Sequence, residues 1–600
     1  AGGDWNLEIA TGPIESSLAA VNYSGLLADA SPTVSLGSSA AEVSLGTNFT
    51  FTASFTNPSS QVGFAPYIDL FFPATGKDGG GAEIDDGATF VSASFLGQNV
   101  KSTVLTFDAA GNATHPVARD ANGDLLIINA ATYGMQPGDQ LVVLQLPFAS
   151  VDPGLPSIDV QITAKLSDLA DTAASNPAPQ LTIKARGGFE LGNDALDNAA
   201  YGDPSLVEAT THAFTITPTV ITVTQSVDVV DGETATGPNF SHDITVIVTP
   251  APGQTLNDAV ITQDLPGNIQ VTAITPGAGG VLASITLTTG VTIRDPALIQ
   301  QALADPRFFV SSYTVEYAAL STPSTTTITF YVPETDAQGN PTVDPGTGDA
   351  QGITIGKPSA SGEWLPLDPR DQKFPLDPNT GLPDTSQPPI PATVTGNGND
   401  TGFTAKSIAL QKSASVQIDT GEPGLTPGDT LRYTLDLELS DYFAFGKTIA
   451  ENGFLTLTDT LGDDQVLEGV PTLTITMDGV IQTMVLITTQ TANTDGSTRL
   501  QFDLAESLRL SGVTPGALRG DLAFDNVLDG ATTAVILYDT KVAQQYTTVY
   551  RQSEINEGDS VGNNATVAGS VMIDANNLTG GVESETGSTS ATVPTREVDI

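Results

Sequence analysis

The sequence predicts an all-β protein: tandem immunoglobulin-like β-sandwich domains with long loops and one or two short helices. Three observations carry this. Short runs rich in Thr, Val, Ile, Leu and Phe alternate polar and apolar residues, as half-buried strands do. Turn signals such as PG, DG, GN and NG break the runs. One order of strands also recurs three times, with openings roughly 190 residues apart. A chain of 600 residues has room for roughly three or four domains, each with its own core.

Taken in order, residues 1–30 precede the first repeat and read as an extended or a strand-donating segment. Residues 31–216 form the first repeat, with VSLGSSAAEV, SLGTN, FTFTASFTN and YIDLFFPA in succession. Residues 217–352 form the second, with ITVTQSVDVV, TGPNFSH, DITVIVTP and AVITQDLPG. Residues 353–399 are dense in Pro, Asp and Gly and read as a stiff loop or linker. Residues 400–600 form the third, with IALQKSASVQI, GLTPGDT, LRYTLDLEL and LTLTDTLGD. The final SATVPTREVDI resembles HAFTITPTVITV at the first junction, where one repeat passes into the next. It predicts the start of a further repeat, within a longer array or a head-to-tail assembly by strand addition.

Helical pattern is confined to two short pieces. DPALIQQALADP, Asp295 to Pro306, has an Asp N-cap, Pro in the first turn and an Asp-Pro stop. LAESLRLSG, Leu504 to Gly512, is the second.

Composition narrows the function. The formal charge is −48, from 69 acidic and 21 basic residues. So few cations cannot neutralise a polyanion, which argues against nucleic-acid and anionic-membrane binding. With no cysteine there are no disulfides, thiolate zinc sites or cysteine nucleophiles. No apolar run reaches the 18 or more residues that a membrane helix requires. Abundant Thr, Gly, Pro, Val and Asp with scarce Lys is a common composition among secreted bacterial surface proteins.

The turn and strand GLTPGDTLRYTLDLEL, the later LTLTDTL and the near-terminal GNNATV resemble tandem β-sandwich repeats of large bacterial surface proteins. They are similar to the surface repeats called DUF11 and to isopeptide-forming domains of fimbrial proteins. The first repeat's FTFTASFTNPSSQVG keeps the strand and the Asn-containing turn but lacks the PGD turn. The resemblance implies an extracellular, cell-surface structural protein, not an enzyme: a stalk, filament or surface layer whose partners are its own copies or neighbouring repeats. The alternative it leaves open is a surface adhesin for a host protein or carbohydrate, with calcium as the candidate cofactor. For that reading the Pro-rich segment around Trp364 is the candidate binding loop.

The period of two then singles out three polar residues. Lys412 shares a face with Ile408, Leu410, Ala414, Val416 and Ile418. Asp459 shares one with Leu455, Leu457 and Leu461, and Asn563 with Ala565, Val567, Gly569, Val571 and Ile573. The resemblance implies a role for them, because fimbrial isopeptide domains join a first-strand lysine to a last-strand asparagine beside a buried acid. Burial lowers a lysine's pKa and raises a carboxyl's, so a free amine meets a proton donor. Two simpler readings stand beside it: Lys412 pairs with Asp459, or it lies on an edge strand and reaches water. At the matching position the second repeat has Gln225 and the first Ser38, and no lysine occurs between Arg186 and Gly356.

Other motifs are weaker. RDANGDLL spaces Asp120, Asn122 and Asp124 like the start of a calcium loop, but Ala131 stands where an EF-hand needs glutamate. FDAAGNAT and TDAQGNPT share a D-A-x-G-N form that predicts hairpin turns. His115, His212 and His242 are scattered without a metal-binding spacing, and no catalytic constellation is present.

Overall fold

The computed structural model describes residues 32–37, 41–58, 62–76, 86–119, 124–174, 180–191, 212–343, 350–420, 424–440, 455–477, 480–513, 532–547, 553–555, 559–570 and 582–592. Residues 1–30, Ser38, Asp120 and Asn122 lie outside that set. The described chain is all-β, with its strands in stacked, mainly antiparallel sheets.

The first five-stranded sheet runs Thr33–Leu36, Asn48–Thr56, Ile158–Leu166, Ala88–Phe95 and Gln98–Asn99. It faces a larger sheet centred on Gly63–Phe72 and Leu181–Leu191. A second pair follows. Ile221–Val227, His242–Pro250, Ser324–Tyr331 and Gln270–Thr275 make one layer, and Val310–Leu320 and Leu256–Asp264 are central to the other. Buried apolar side chains form one continuous set through both pairs, from Val34 to Ala405.

The third pair has a separate core. One layer orders Ile408–Ile418, Thr430–Leu439, Thr532–Val542, Gln465–Met477 and Val480–Val485. The other orders Ile487–Ala492, Thr498–Asp503, Leu455–Leu461, Ser560–Ser570 and Val582–Thr592. Alternation explains the burial: Leu431, Tyr433, Leu435, Leu437 and Leu439 all point inward from one strand.

Both expected helices form, over Pro296–Leu303 and Leu504–Leu510. Asp295 caps the first by accepting from the backbone N–H groups of Ala297 and Leu298. The two D-A-x-G-N segments are tight turns of one design. In each, the aspartate accepts from the backbone two and four residues on, and the glycine has positive φ, 77° at Gly111 and 83° at Gly339.

Two expectations need correction. Residues 353–399 are not a linker, because Gln351–Ile355, Ser359–Trp364 and Ala392–Asn397 are strands within the second sheet system. The Pro-rich composition belongs to the intervening loop, while SASGEW alternates inward Ala360, Gly362 and Trp364. Trp364 is 2% exposed and its indole N–H donates to Gln254 at 2.8 Å, so it offers no binding platform. The loop is itself anchored: Arg370 pairs with Asp368 and reaches Asp86 of the first sandwich at 2.5 Å.

The second correction concerns Ile408–Ile418, whose alternation holds only at its start. Residues 408–412 are buried on both faces, whereas Val416 and Ile418 are 42% and 52% exposed. The outer face of the buried half meets the second repeat. Ala409 packs with Ala235 and Phe240, and Gln411 donates to the backbone carbonyl of Glu233.

Candidate functional site

Lys412 stands on the opening strand of the third sandwich, in register with Leu435. Asp459 lies in the opposite layer, paired with Leu500 and Ala565. The inward face of each strand brings the two together: Lys412 Nζ lies 2.9 and 2.8 Å from the two carboxylate oxygens of Asp459, and both side chains are fully buried. Burial pulls the Lys412 ammonium down to about 8, against the opposing pull of Asp459. A buried pair of this kind gains much of its attraction only by offsetting a large desolvation cost.

Two tyrosines complete the cluster. Tyr433 and Tyr538 are cross-strand partners whose rings stack at 5.3 Å. Lys412 Nζ lies 5.4 Å from the Tyr433 ring centre, within cation–π range. The Tyr538 hydroxyl donates to Asp459 and accepts from the Asn563 side-chain amide at 2.7 Å. Burial pushes the Tyr538 hydroxyl pKa up, so it stays protonated. Tyr433 donates to Gln465 at 2.7 Å, and Gln465 donates to the backbone carbonyl of Gly562 at 2.8 Å, tying the last strands to this centre.

Asn563 is buried beside Leu461, and its amide oxygen has no hydrogen-bond partner among the described residues. An unsatisfied buried acceptor is costly and asks for an explanation. The structure therefore brings Lys412 against Asp459 directly and links both to Asn563 through Tyr538. Tyr433, Tyr538 and Gln465 escaped the sequence reading. Alternation would have found the tyrosines, in Leu431-Tyr433-Leu435 and in Ala534-Ile536-Tyr538, had an inward tyrosine been counted as polar at its tip.

The backbone of Lys412 is held from outside the sandwich. Its N–H donates to Asp231 at 3.0 Å, and the N–H of Leu410 donates to Glu233 at 2.9 Å. Lys406 pairs with the other oxygen of Glu233 at 2.6 Å. Side-chain carboxylates of the second repeat thus satisfy donors along the edge of the strand that carries the lysine.

Gln225, at the matching position, sits in a neutral cluster. Its amide nitrogen donates to Thr401 at 3.0 Å, Gln263 donates to its carbonyl and to Gly356 at 2.8 Å, and Tyr313 donates to Gln263 at 3.0 Å. The first sandwich buries a different network, on the outer side of its larger sheet. There Asp69 accepts from Arg186 at 2.7 Å and from His115 at 2.9 Å, while His115 Nδ1 accepts from the N–H groups of Val117 and Ala118. His242 lies far along the chain, against Thr234. Asp124 is exposed, and among the described residues no group of three or more His, Cys, Asp or Glu could hold a metal ion.

Fold and site together define a class: a tandem β-sandwich chain with a buried lysine, aspartate, tyrosine and asparagine cluster. No family model matches the chain, and no curated protein sequence matches it. Similar solved structures include the major pilin subunit BcpA of Bacillus cereus, at 10% identity and TM-score 0.18, covering 62% of this chain and 69% of that one. The full-length major pilin SpaD from Corynebacterium diphtheriae gives 10% identity and TM-score 0.18, with coverages of 62% and 65%. The B domain of a biofilm associated protein gives 8% identity and TM-score 0.18, with coverages of 62% and 85%.

Proposed function

We propose that the chain is an extracellular structural protein, a stalk, filament or surface layer of tandem β-sandwiches, whose third repeat is locked by an amide bond between Lys412 and Asn563. The observation that supports it is the placement of a fully buried lysine against a carboxylate, with a buried asparagine one hydroxyl away. The amine of Lys412 attacks the side-chain carbonyl carbon of Asn563, and ammonia leaves. Strands early and late in the repeat are then joined, so a pulling force passes through a covalent bond. Closing so long a loop stabilises the repeat by about 3–5 kcal/mol.

The domain plan goes with this reading: repeats at 31–216 and 400–600, with the second extended past 352 by its extra strands. The adhesin alternative needs a concave loop-built site, and Trp364 is no part of one because its indole is core.

Intact mass tests the bond. The full chain should weigh less than its sequence by one ammonia, and digestion should yield one branched peptide holding Lys412 and Asn563. A full mass refutes the bond. A deficit of one water instead, with the branch on Asp459, reassigns the acceptor to the carboxylate that Lys412 touches.

A further inference from the structure

We infer that Tyr538 is a catalytic residue of the cross-link, the acid that protonates the departing nitrogen of Asn563. This rests on the cross-link reading above. Its own support is geometric: Asp459 accepts from Lys412 and Tyr538, and it is the Tyr538 hydroxyl that contacts the Asn563 amide nitrogen, at 2.7 Å. The carboxylate that can take the lysine's proton is therefore one hydroxyl short of the group that must receive one. Tyr538 fills that gap as a two-way relay.

The step balances. Lys412 gives one proton to Asp459 and becomes a free amine. Its nitrogen attacks Cγ of Asn563 and the new C–N bond forms. As the Cγ–Nδ2 bond breaks, Tyr538 gives its proton to Nδ2, which leaves as ammonia, and Asp459 returns a proton to Tyr538. The second lysine proton, released as the amide forms, goes to Asp459. Tyr538 ends as it began, and no outside reagent is consumed.

Tyr433 borders the same centre. Its ring stacks on Tyr538 and faces Lys412, and its hydroxyl donates to Gln465 and lies beside the Asn563 side chain. Only the Tyr538 hydroxyl joins Asn563 to the carboxylate that takes the lysine's proton.

The test uses the full chain made by cell-free synthesis, with the mass followed over time and folding checked by circular dichroism. Wild type and Val416→Thr, a change on the exposed half of the lysine's strand, should both lose one ammonia. Tyr538→Phe should fold and link at least about 10²-fold more slowly, the usual scale of a lost general acid. Equal rates for Tyr538→Phe and wild type overturn the inference while leaving the bond intact; a wild type of full mass overturns both. Should Tyr538→Phe fail to fold, 3-fluorotyrosine placed at position 538 keeps the ring and hydroxyl but makes the hydroxyl more acidic. A several-fold change in linking rate is then expected, and an unchanged rate refutes the relay.

Discussion

The second and third sandwiches solve one packing problem in two ways. Each opening strand points a long polar side chain inward at one register position: Gln225 faces Val246, and Lys412 faces Leu435. Two residues along the partner strand, the second repeat places Ile244 against Ile328, where the third places Tyr433 against Tyr538. The inward acid Asp459 is matched by the inward amide Gln263. The second site closes with neutral amides on backbone carbonyls; the third holds charges that only each other and two tyrosines can satisfy. Amide clusters fasten a core, whereas an amine beside a carboxyl and an asparagine can also react.

Removing the amine should separate the two sites most strongly. Lys412→Ala leaves Asp459 buried without its cation and destroys the cross-link, so we expect a loss of about 3–5 kcal/mol from the unpaired charge alone. The bond's contribution is lost in addition. Thermal melting of the full chain should show the transition of the third repeat moving down while the second stays in place. Pairing Lys412→Met with Asp459→Leu should recover much of the charge penalty but none of the ammonia loss.

The reciprocal change converts the neutral site. Gln225→Lys puts an ammonium beside Gln263 and Tyr313 with no carboxylate, at an expected cost of about 2–4 kcal/mol in a denaturant titration. Adding Gln263→Asp should restore part of it by supplying an ion pair. The double variant should nevertheless keep its full mass in the second repeat, because Gly356 offers only a backbone carbonyl beside Gln263 and the Asn399 side chain is held on the backbone of residue 225.

How much of this could be read from sequence follows from the same physics. Alternation placed Lys412, Asp459 and Asn563 inward from three strands because a two-residue period is a local property. Which of them touch is not local. It depends on the register between layers, and that put Tyr538 between the acid and the asparagine. Alternation also failed at the end of that strand: Val416 and Ile418 keep the apolar pattern but are exposed, and a bulge between them sets Ile418 against Thr430, next to Val416's partner Leu431. The second repeat's true extent was hidden by proline and aspartate in its loop, which masked the strand ending at Trp364.

The junction between the two repeats offers a subtler probe. Glu438, on the third sandwich, accepts from the Ala235 N–H and the Thr234 hydroxyl of the second, each at 2.9 Å, and from Gln411 at 3.3 Å. Burial pushes its carboxyl up to about 7, with Asp436 adding to the rise and those hydrogen bonds opposing it. Because the folded value lies above the unfolded one, this contribution is complete at acid pH and is lost as pH rises through about 7. Wild type should therefore lose on the order of 1–2 kcal/mol relative to Glu438→Gln between about pH 5 and pH 8. Parallel melting curves of the two proteins across that range would refute the assignment.

The exposed half of the lysine's strand should matter least, and that makes it a sharp test of the boundary. Val416→Thr and Ile418→Thr keep β-branching and remove apolar surface that already faces water, so each should change stability by no more than about 0.5 kcal/mol. Leu410→Thr, six residues earlier on the same face, should cost several times more, because Leu410 is core. Denaturant midpoints that fell equally for all three would mean that the strand is covered along its whole length. The second repeat's Asp231 and Glu233 would then be only part of what holds it, and the comparison between the repeats would have to include that cover.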